Sequence, residues 1–236
     1  MRIVVNAGHG PVTPGKRCPD DSMHEYHFNA PTARYVGELL RQYEGVEVLH
    51  TFEDGRDVPL RERTDRANAW KADLYVSIHA NAHGEGWNVA EGIETFVHDG
   101  RPAAAVALAN AVQRKLVAAT GRADRGVKSD NFHELRETRC TAILVECGFM
   151  TNKIEAELLK SDGYRRKCAL AIVAGIVETY GLKKITQPAT PVDGVSVWAR
   201  EARDWAVAAG ITDGADPQEP ITREEVWTML YRMQSK

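Results

Sequence analysis

Short apolar runs rich in β-branched residues recur along the chain at Ile3–Val5, Val46–Phe52, Leu74–Ile78, Ile93–Val97 and Ala142–Val145. Short runs of this kind are the pattern expected of strands in a covered sheet. Stretches of helical period separate them. Thr32–Tyr43 sets Tyr35, Val36, Leu39 and Leu40 on one face, and Pro102–Ala118 does the same with Val106, Leu108, Ala109, Val112 and Leu116. Asn152 followed three residues later by Glu155 forms a helix start, and Tyr164–Tyr180 carries Leu170, Ile172, Val173, Ile176 and Val177 before a stop at Gly181. This alternation predicts an α/β fold, a mostly parallel sheet with helices on both faces.

The pattern changes after Gly181. Residues 1–182 read as one domain and residues 183–194, with Pro188 and Pro191 among threonines and alanines, as a linker too poor in apolar residues to pack. Residues 195–236 read as a small helical hairpin, Trp198–Ala209 and Thr222–Met233. Gly210 ends its first helix, Asp213-Gly214 and Pro217 supply the turn, and Thr222 with Glu225 makes a capping box. About 40 residues bury little apolar surface alone, so this piece is expected to lean on a partner, a second copy or the main domain.

Composition narrows the function classes. With 236 residues, 43% hydrophobic and 27% charged, the chain is an ordinary globular one, and a net charge of -3 gives no general attraction to nucleic acid. No run approaches the roughly 18 apolar residues of a membrane span. Met1-Arg2-Ile3-Val4-Val5 enters a core strand directly, without the charged and apolar regions of a signal peptide, so synthesis in the cytoplasm is expected. Cys18, Cys140, Cys147 and Cys168 have no C-x-x-C spacing and read as buried free thiols.

Four polar residues stand where a sheet would gather them. His9 lies between Gly8 and Gly10 just after the first apolar run, Glu25 precedes a helical segment, His79 ends the run Leu74–Ile78, and Glu146 ends the run Ala142–Val145. In an open α/β sheet, ligands collect beyond the carboxyl ends of strands. Two imidazoles and a carboxylate can hold one zinc ion and leave a position for water, and a second carboxylate can move protons. Spacing alone leaves other readings open. His24 and His27 flank Glu25 and compete as ligands, while His50, His83, His98 and His133 read as surface or satisfied core residues. Glu146 reads either as a salt-bridged core acid or as a general base, and Cys147 as a thiol nucleophile lacks an assignable histidine.

Taken in order, the motifs resemble a known family, the zinc-dependent N-acetylmuramoyl-L-alanine amidases often called amidase 3. Asn6-Ala7-Gly8-His9-Gly10 resembles that family's opening D-P-G-H-G. Glu25 with Phe28-Asn29, Leu60-Arg61-Glu62-Arg63 with Ala67-Asn68 and Ala72-Asp73-Leu74, and Ser77-Ile78-His79-Ala80-Asn81 follow. Gly92-Ile93-Glu94-Thr95, Arg125-Gly126-Val127-Lys128 and Leu144-Val145-Glu146-Cys147-Gly148-Phe149 complete the set, over about residues 2 to 181.

The resemblance implies one zinc ion on His9, Glu25 and His79, and Glu146 as the catalytic glutamate. The implied reaction is hydrolysis of the amide between N-acetylmuramic acid and L-alanine in peptidoglycan. Asn6-Ala7 departs from the family's aspartate and proline, which puts in question any carboxylate supporting the ligands from that position. The segment between the helix after Glu25 and the next strand is short, so no regulatory insertion is expected.

The tail, through Trp198-Ala199, Trp205-Ala206, Ala209-Gly210-Ile211-Thr212-Asp213-Gly214 and Pro220-Ile221-Thr222-Arg223-Glu224-Glu225, is similar to one S-layer homology motif. It implies binding to a cell-wall polymer, weakly as a monomer or more strongly by self-association into a homo-oligomer. Two rival readings stand beside this one: a non-catalytic cell-wall binding protein, and a zinc peptidase cutting the stem peptide. Without a secretion signal, the expected setting is a phage endolysin reaching the wall through a membrane lesion, or a lytic enzyme of the host.

Overall fold

The structure is a computed structural model that describes residues 1–185, 199–212 and 223–234. The chain divides into two compact units, Met1–Lys184 and Ile185–Lys236. In the first, strands β1 (Arg2–Ala7), β2 (Glu47–His50), β3 (Leu74–Asn81), β4 (Ile93–His98), β5 (Asp124–Asp130) and β6 (Thr141–Phe149) form one sheet in the order β2-β1-β3-β6-β4-β5. Neighbours are parallel except where β4 runs antiparallel to β6. Six helices accompany it: α1 (Tyr26–Leu40), α2 (Leu60–Ala69), α3 (Ala103–Thr120), α4 (His133–Glu137), α5 (Lys153–Lys160) and α6 (Asp162–Tyr180).

Successive side chains of a strand point to opposite faces, and this parity sorts the interior into two layers. Ile3, Val5 and Ala7 of β1, Val76 and Ile78 of β3, and Ile143, Val145 and Cys147 of β6 pack with the apolar faces of α1, α3, α5 and α6. Val4, Tyr75, Ala142 and Leu144 face the other way, onto Ala67 of α2 and Leu135 of α4. Asn6, Ser77, His79 and Glu146 share the parity of this thinner layer, so the strands carry their polar residues onto the face that α2 and α4 only partly fill.

Local signals set the helix ends. The Asn152 side chain accepts hydrogen bonds from the amides of Ile154 and Glu155, and Ser161 caps α6 through the Tyr164 amide. Gly121 and Gly181 close α3 and α6 in the left-handed conformation. The first helix starts at Tyr26, earlier than the apolar period from Thr32 indicates, and runs through Pro31. That proline has no N–H to donate to the carbonyl of His27, which is an exposed residue, while Phe28 and Ala30 are buried.

Three elements carry no apolar signature of their own. Helix α2 is polar because one of the few side chains it buries is an arginine, strand β5 is a polar edge strand paired only with β4, and α4 is a short turn of helix.

In the second unit, α7 (Arg200–Ala208) ends at Gly210, whose amide reaches the Val207 carbonyl, while the Ile211 amide reaches that of Ala206. The other helix is α8 (Arg223–Gln234). Most of the expected linker, the Asp213-Gly214 and Pro217 turn, and Thr222 of the capping box lie outside the described residues. No helix among the described residues is long and apolar enough to cross a membrane.

Helices α3 and α6 approach closely because Gly175 has no side chain: a Cβ there would lie 2.7 Å from the Cα of Val112. The obstacle is backbone, so it cannot swing aside. Gly175→Ala is expected to lower unfolding stability by about 1–3 kcal/mol, read as a lower denaturant midpoint at unchanged slope.

Candidate metal centre

The site begins where β1 stops. His9 has φ 60, a left-handed conformation strained for a residue with a side chain, and the turn needs external support. Arg63 of α2 supplies it. With its side chain 1% exposed, its guanidinium donates to the carbonyls of Ala7 and His9 (2.6 Å for the latter), to that of Val58 at 2.7 Å and to Asn6 Oδ1 at 2.8 Å. A buried cation is tolerable only when its donors are matched in this way. Gly8 completes the turn: its amide donates to the Ile78 carbonyl at 2.9 Å, and a Cβ on it would lie 2.0 Å from the His79 ring.

Glu25, at the start of α1, is buried between the two imidazoles. Its Oε2 is 3.1 Å from His9 Nε2 and its Oε1 is 2.9 Å from His79 Nδ1. Oε1 also accepts from Asn29 Nδ2 at 3.0 Å and from the Ala80 amide at 3.1 Å. The His9 and His79 rings stand almost perpendicular, at 87°, with centroids 5.2 Å apart. One ligand atom from each of His9, Glu25 and His79 lies within 4.8 Å of the others.

Burial pushes the Glu25 carboxyl up, but the hydrogen bonds and charges of His79 and His9 hold it well below the usual carboxylate range. Burial likewise disfavours a charged His79, yet Glu134 and Glu25 outweigh it and raise that ring to about 10. Surroundings that hold a proton on an imidazole also attract a metal ion to it. The donor set, two nitrogens and one carboxylate oxygen converging from separate elements, fits a zinc ion with one position left for water.

Glu146 is the register partner of His79 across β3 and β6 and projects to the same face. Just beyond this pair the register slips between His79 and Asn81, a bulge of the kind that re-aims side chains beside active sites. Glu146 Oε2 is buried and has no hydrogen-bond partner among the described residues. Burial first, then the charges of Glu25 and Glu94 against that of His79, push its carboxyl up to about 8. A group so poised can take up and release a proton near neutral pH.

Glu94, opposite it on β4, is occupied differently. It accepts from Asn81 and Arg125 at 2.6 Å and from Lys128 at 2.5 Å, which hold its carboxyl below the usual range despite burial.

The other residues weighed from sequence go elsewhere. His24 Nε2 lies 3.1 Å from Asp21, and His27 Nδ1 accepts from the His24 amide, so neither joins the cluster. His50 is bonded to the Val5 carbonyl. The Cys147 thiol packs inward, where its contact with Cys168 and its burial raise it well above the ordinary thiol value, so it is no nucleophile. Sequence reasoning missed Glu134, a fully enclosed acid on α4 whose Oε2 lies 3.8 Å from His79 Nε2. Its only advance signal was an acid beside Leu135 in the segment leading into β6.

Comparison with known proteins agrees with these motifs. Residues 3–178 match the family described as N-acetylmuramoyl-L-alanine amidase. The chain is 32% identical over 185 residues to the N-acetylmuramoyl-L-alanine amidase CwlM of Bacillus licheniformis, covering 78% of this chain and 70% of that one. It is 31% identical over 191 residues to the endolysin of Bacillus phage SPP1, covering 80% and 69%. Its structure is similar to the catalytic domain of CwlV, an N-acetylmuramoyl-L-alanine amidase from Bacillus (Paenibacillus) polymyxa var. colistinus, with TM-score 0.71 and 34% identity over 78% of this chain and 100% of that domain.

The contact between Gly8 and His79 yields a test of the centre itself. Gly8→Ala is expected to displace the His79 ring and weaken zinc binding on the order of 10–100-fold while leaving the far-UV circular dichroism intact. Competition with a chromophoric chelator measures it.

Proposed function

Because the chain belongs to the N-acetylmuramoyl-L-alanine amidase family, hydrolases of the bond between muramic acid and L-alanine in peptidoglycan, we propose that it cuts this amide with a zinc ion held by His9, Glu25 and His79 and with Glu146 as the catalytic acid and base. The observation that carries the reading is the unpartnered Glu146 oxygen beside three converging ligands. When bound, zinc supplies positive charge that polarises the scissile carbonyl and acidifies water. Glu146 Oε2, with no other hydrogen bond to break, accepts the proton of the attacking water. The same carboxyl then returns that proton to the departing nitrogen of L-alanine, leaving the muramoyl lactyl group as a free acid. Glu25 remains ionised throughout, held by its two imidazoles and by the Asn29 and Ala80 donors.

Residues 1–182 form the catalytic domain in this proposal, residues 183–194 the linker, and residues 195–236 a motif that binds a cell-wall polymer or a second copy of the chain. The likeness to a phage endolysin supports a role in lysis of the wall. Exposed Trp205 on α7 and Trp227 on α8 give the second unit apolar surface for such contacts.

Glu146→Gln is expected to retain one zinc per chain by elemental analysis and to lose on the order of 10²–10⁴-fold in turnover. Full activity in that variant would remove Glu146 from the mechanism. Digestion of purified peptidoglycan should release new L-alanine amino termini, and a chelator should stop it. Fragment masses showing cuts inside the stem peptide would establish a peptidase instead, and no release would leave only a binding protein. Sedimentation with and without wall fragments tests the tail; a monomer with no wall affinity contradicts both of its assigned roles.

A further inference from the structure

Asn6 stands where the resembling family has an aspartate, yet a carboxylate still lies behind His79. It comes from Glu134, on a different element. We propose that Glu134 is the positioning residue for the zinc ligand His79, with Asn6 as its matched partner, the acid having moved from β1 to α4. This rests on the reading of His79 as a ligand.

His79 Nδ1 lies 2.9 Å from Glu25 Oε1 and is the ring nitrogen on the side of the other two ligands; with a metal ion on Nδ1, the ring proton sits on Nε2. Nε2 meets Ser77 Oγ at 3.1 Å. Ser77 can accept that proton if its own hydroxyl donates onward, and Glu134 Oε2 lies 3.3 Å away to receive it. The other oxygen of Glu134 accepts from Asn6 Nδ2 at 2.6 Å and from the Tyr75 hydroxyl at 2.7 Å. Three donors converging on one acid require the ionised, acceptor-only form.

Asn6 cannot turn over to spoil this. Its Oδ1 accepts from Thr51 Oγ1 at 2.9 Å and from Arg63 at 2.8 Å, which commits its amide nitrogen to Glu134 and to Ser77, the latter at 3.0 Å. An aspartate at position 6 would instead set an oxygen against Glu134 at the present 2.6 Å contact. Two carboxylates so close repel, so Asn6 and Glu134 belong together. A ring whose second nitrogen is tied to an acid is held in one tautomer and is the stronger metal ligand.

The test uses the full chain and zinc itself. Glu134→Gln replaces the acceptor with an amide of equal size and is expected to weaken zinc binding 10–100-fold in chelator competition. It should also shift the Nε2 proton resonance of His79 in the zinc-loaded protein. Asn6→Asp alone should weaken zinc as well, while Asn6→Asp combined with Glu134→Gln should recover most of the affinity, because one acid again lies in the cluster.

Ser77→Ala, which cuts the relay without removing a buried charge, provides the same readout if Glu134→Gln does not fold. Wild-type protein that binds zinc tightly, together with a Glu134→Gln or Ser77→Ala variant of unchanged affinity, overturns the assignment even if thermal stability falls. Wild-type protein that takes up no zinc refutes the metal reading beneath it.

Discussion

A single guanidinium governs the shape of the centre. Arg63 binds the carbonyls of Ala7, His9 and Val58 and the side chain of Asn6, so it fixes the end of β1, the strained His9 backbone and the segment before α2 together. Lysine could not substitute, since it lacks the planar fork that reaches several acceptors in divergent directions. The cost of enclosing that charge is offset by hydrogen bonds rather than by one ion pair; Asp57, the nearest acid, is 3.4 Å away. What α2 contributes to the fold is therefore mainly a donor cluster, which explains why it can be so polar and still be part of the core.

The main architecture was legible because apolar residues cluster into short runs and longer helical stretches that alternate along the chain. Short apolar, β-branched-rich runs marked five of the six strands, and Asn152 and Gly181 marked helix ends through local chemistry that tertiary context did not override. What escaped notice has a common cause. Helix α2, strand β5 and α4 are held by polar contacts made with distant residues, and those leave no period in the chain. The antiparallel course of β4 was equally hidden, because a strand's direction depends on its connections and not on its composition.

The same contrast holds at the centre. His9, Glu25, His79 and Glu146 could be singled out since each sits at the boundary of a readable element. The structure brings the first three within ligand distance of one another and sets Glu146 in register with His79. Glu134 could not be found that way. Its meaning comes from Asn6, Tyr75 and Ser77, which are respectively 128, 59 and 57 residues away in sequence. A departure at position 6 that looked like a loss in one motif is answered by an acid in a segment that belongs to none.

The reversal of direction between β6 and β4 also divides the two rims of the sheet. The carboxyl ends of β1, β3 and β6 open onto the rim that holds His9, His79 and Glu146, whereas those of β4 and β5 open onto the opposite one. Length inserted after His98, between β4 and α3, would therefore accumulate far from the chemistry, free to vary with surroundings, whereas the turn after Asp130 leads straight into α4 and is bound to the centre through Glu134. Length inserted at 82–92, between β3 and β4, would build on the rim beside His79 and Glu146 and enclose the centre more deeply.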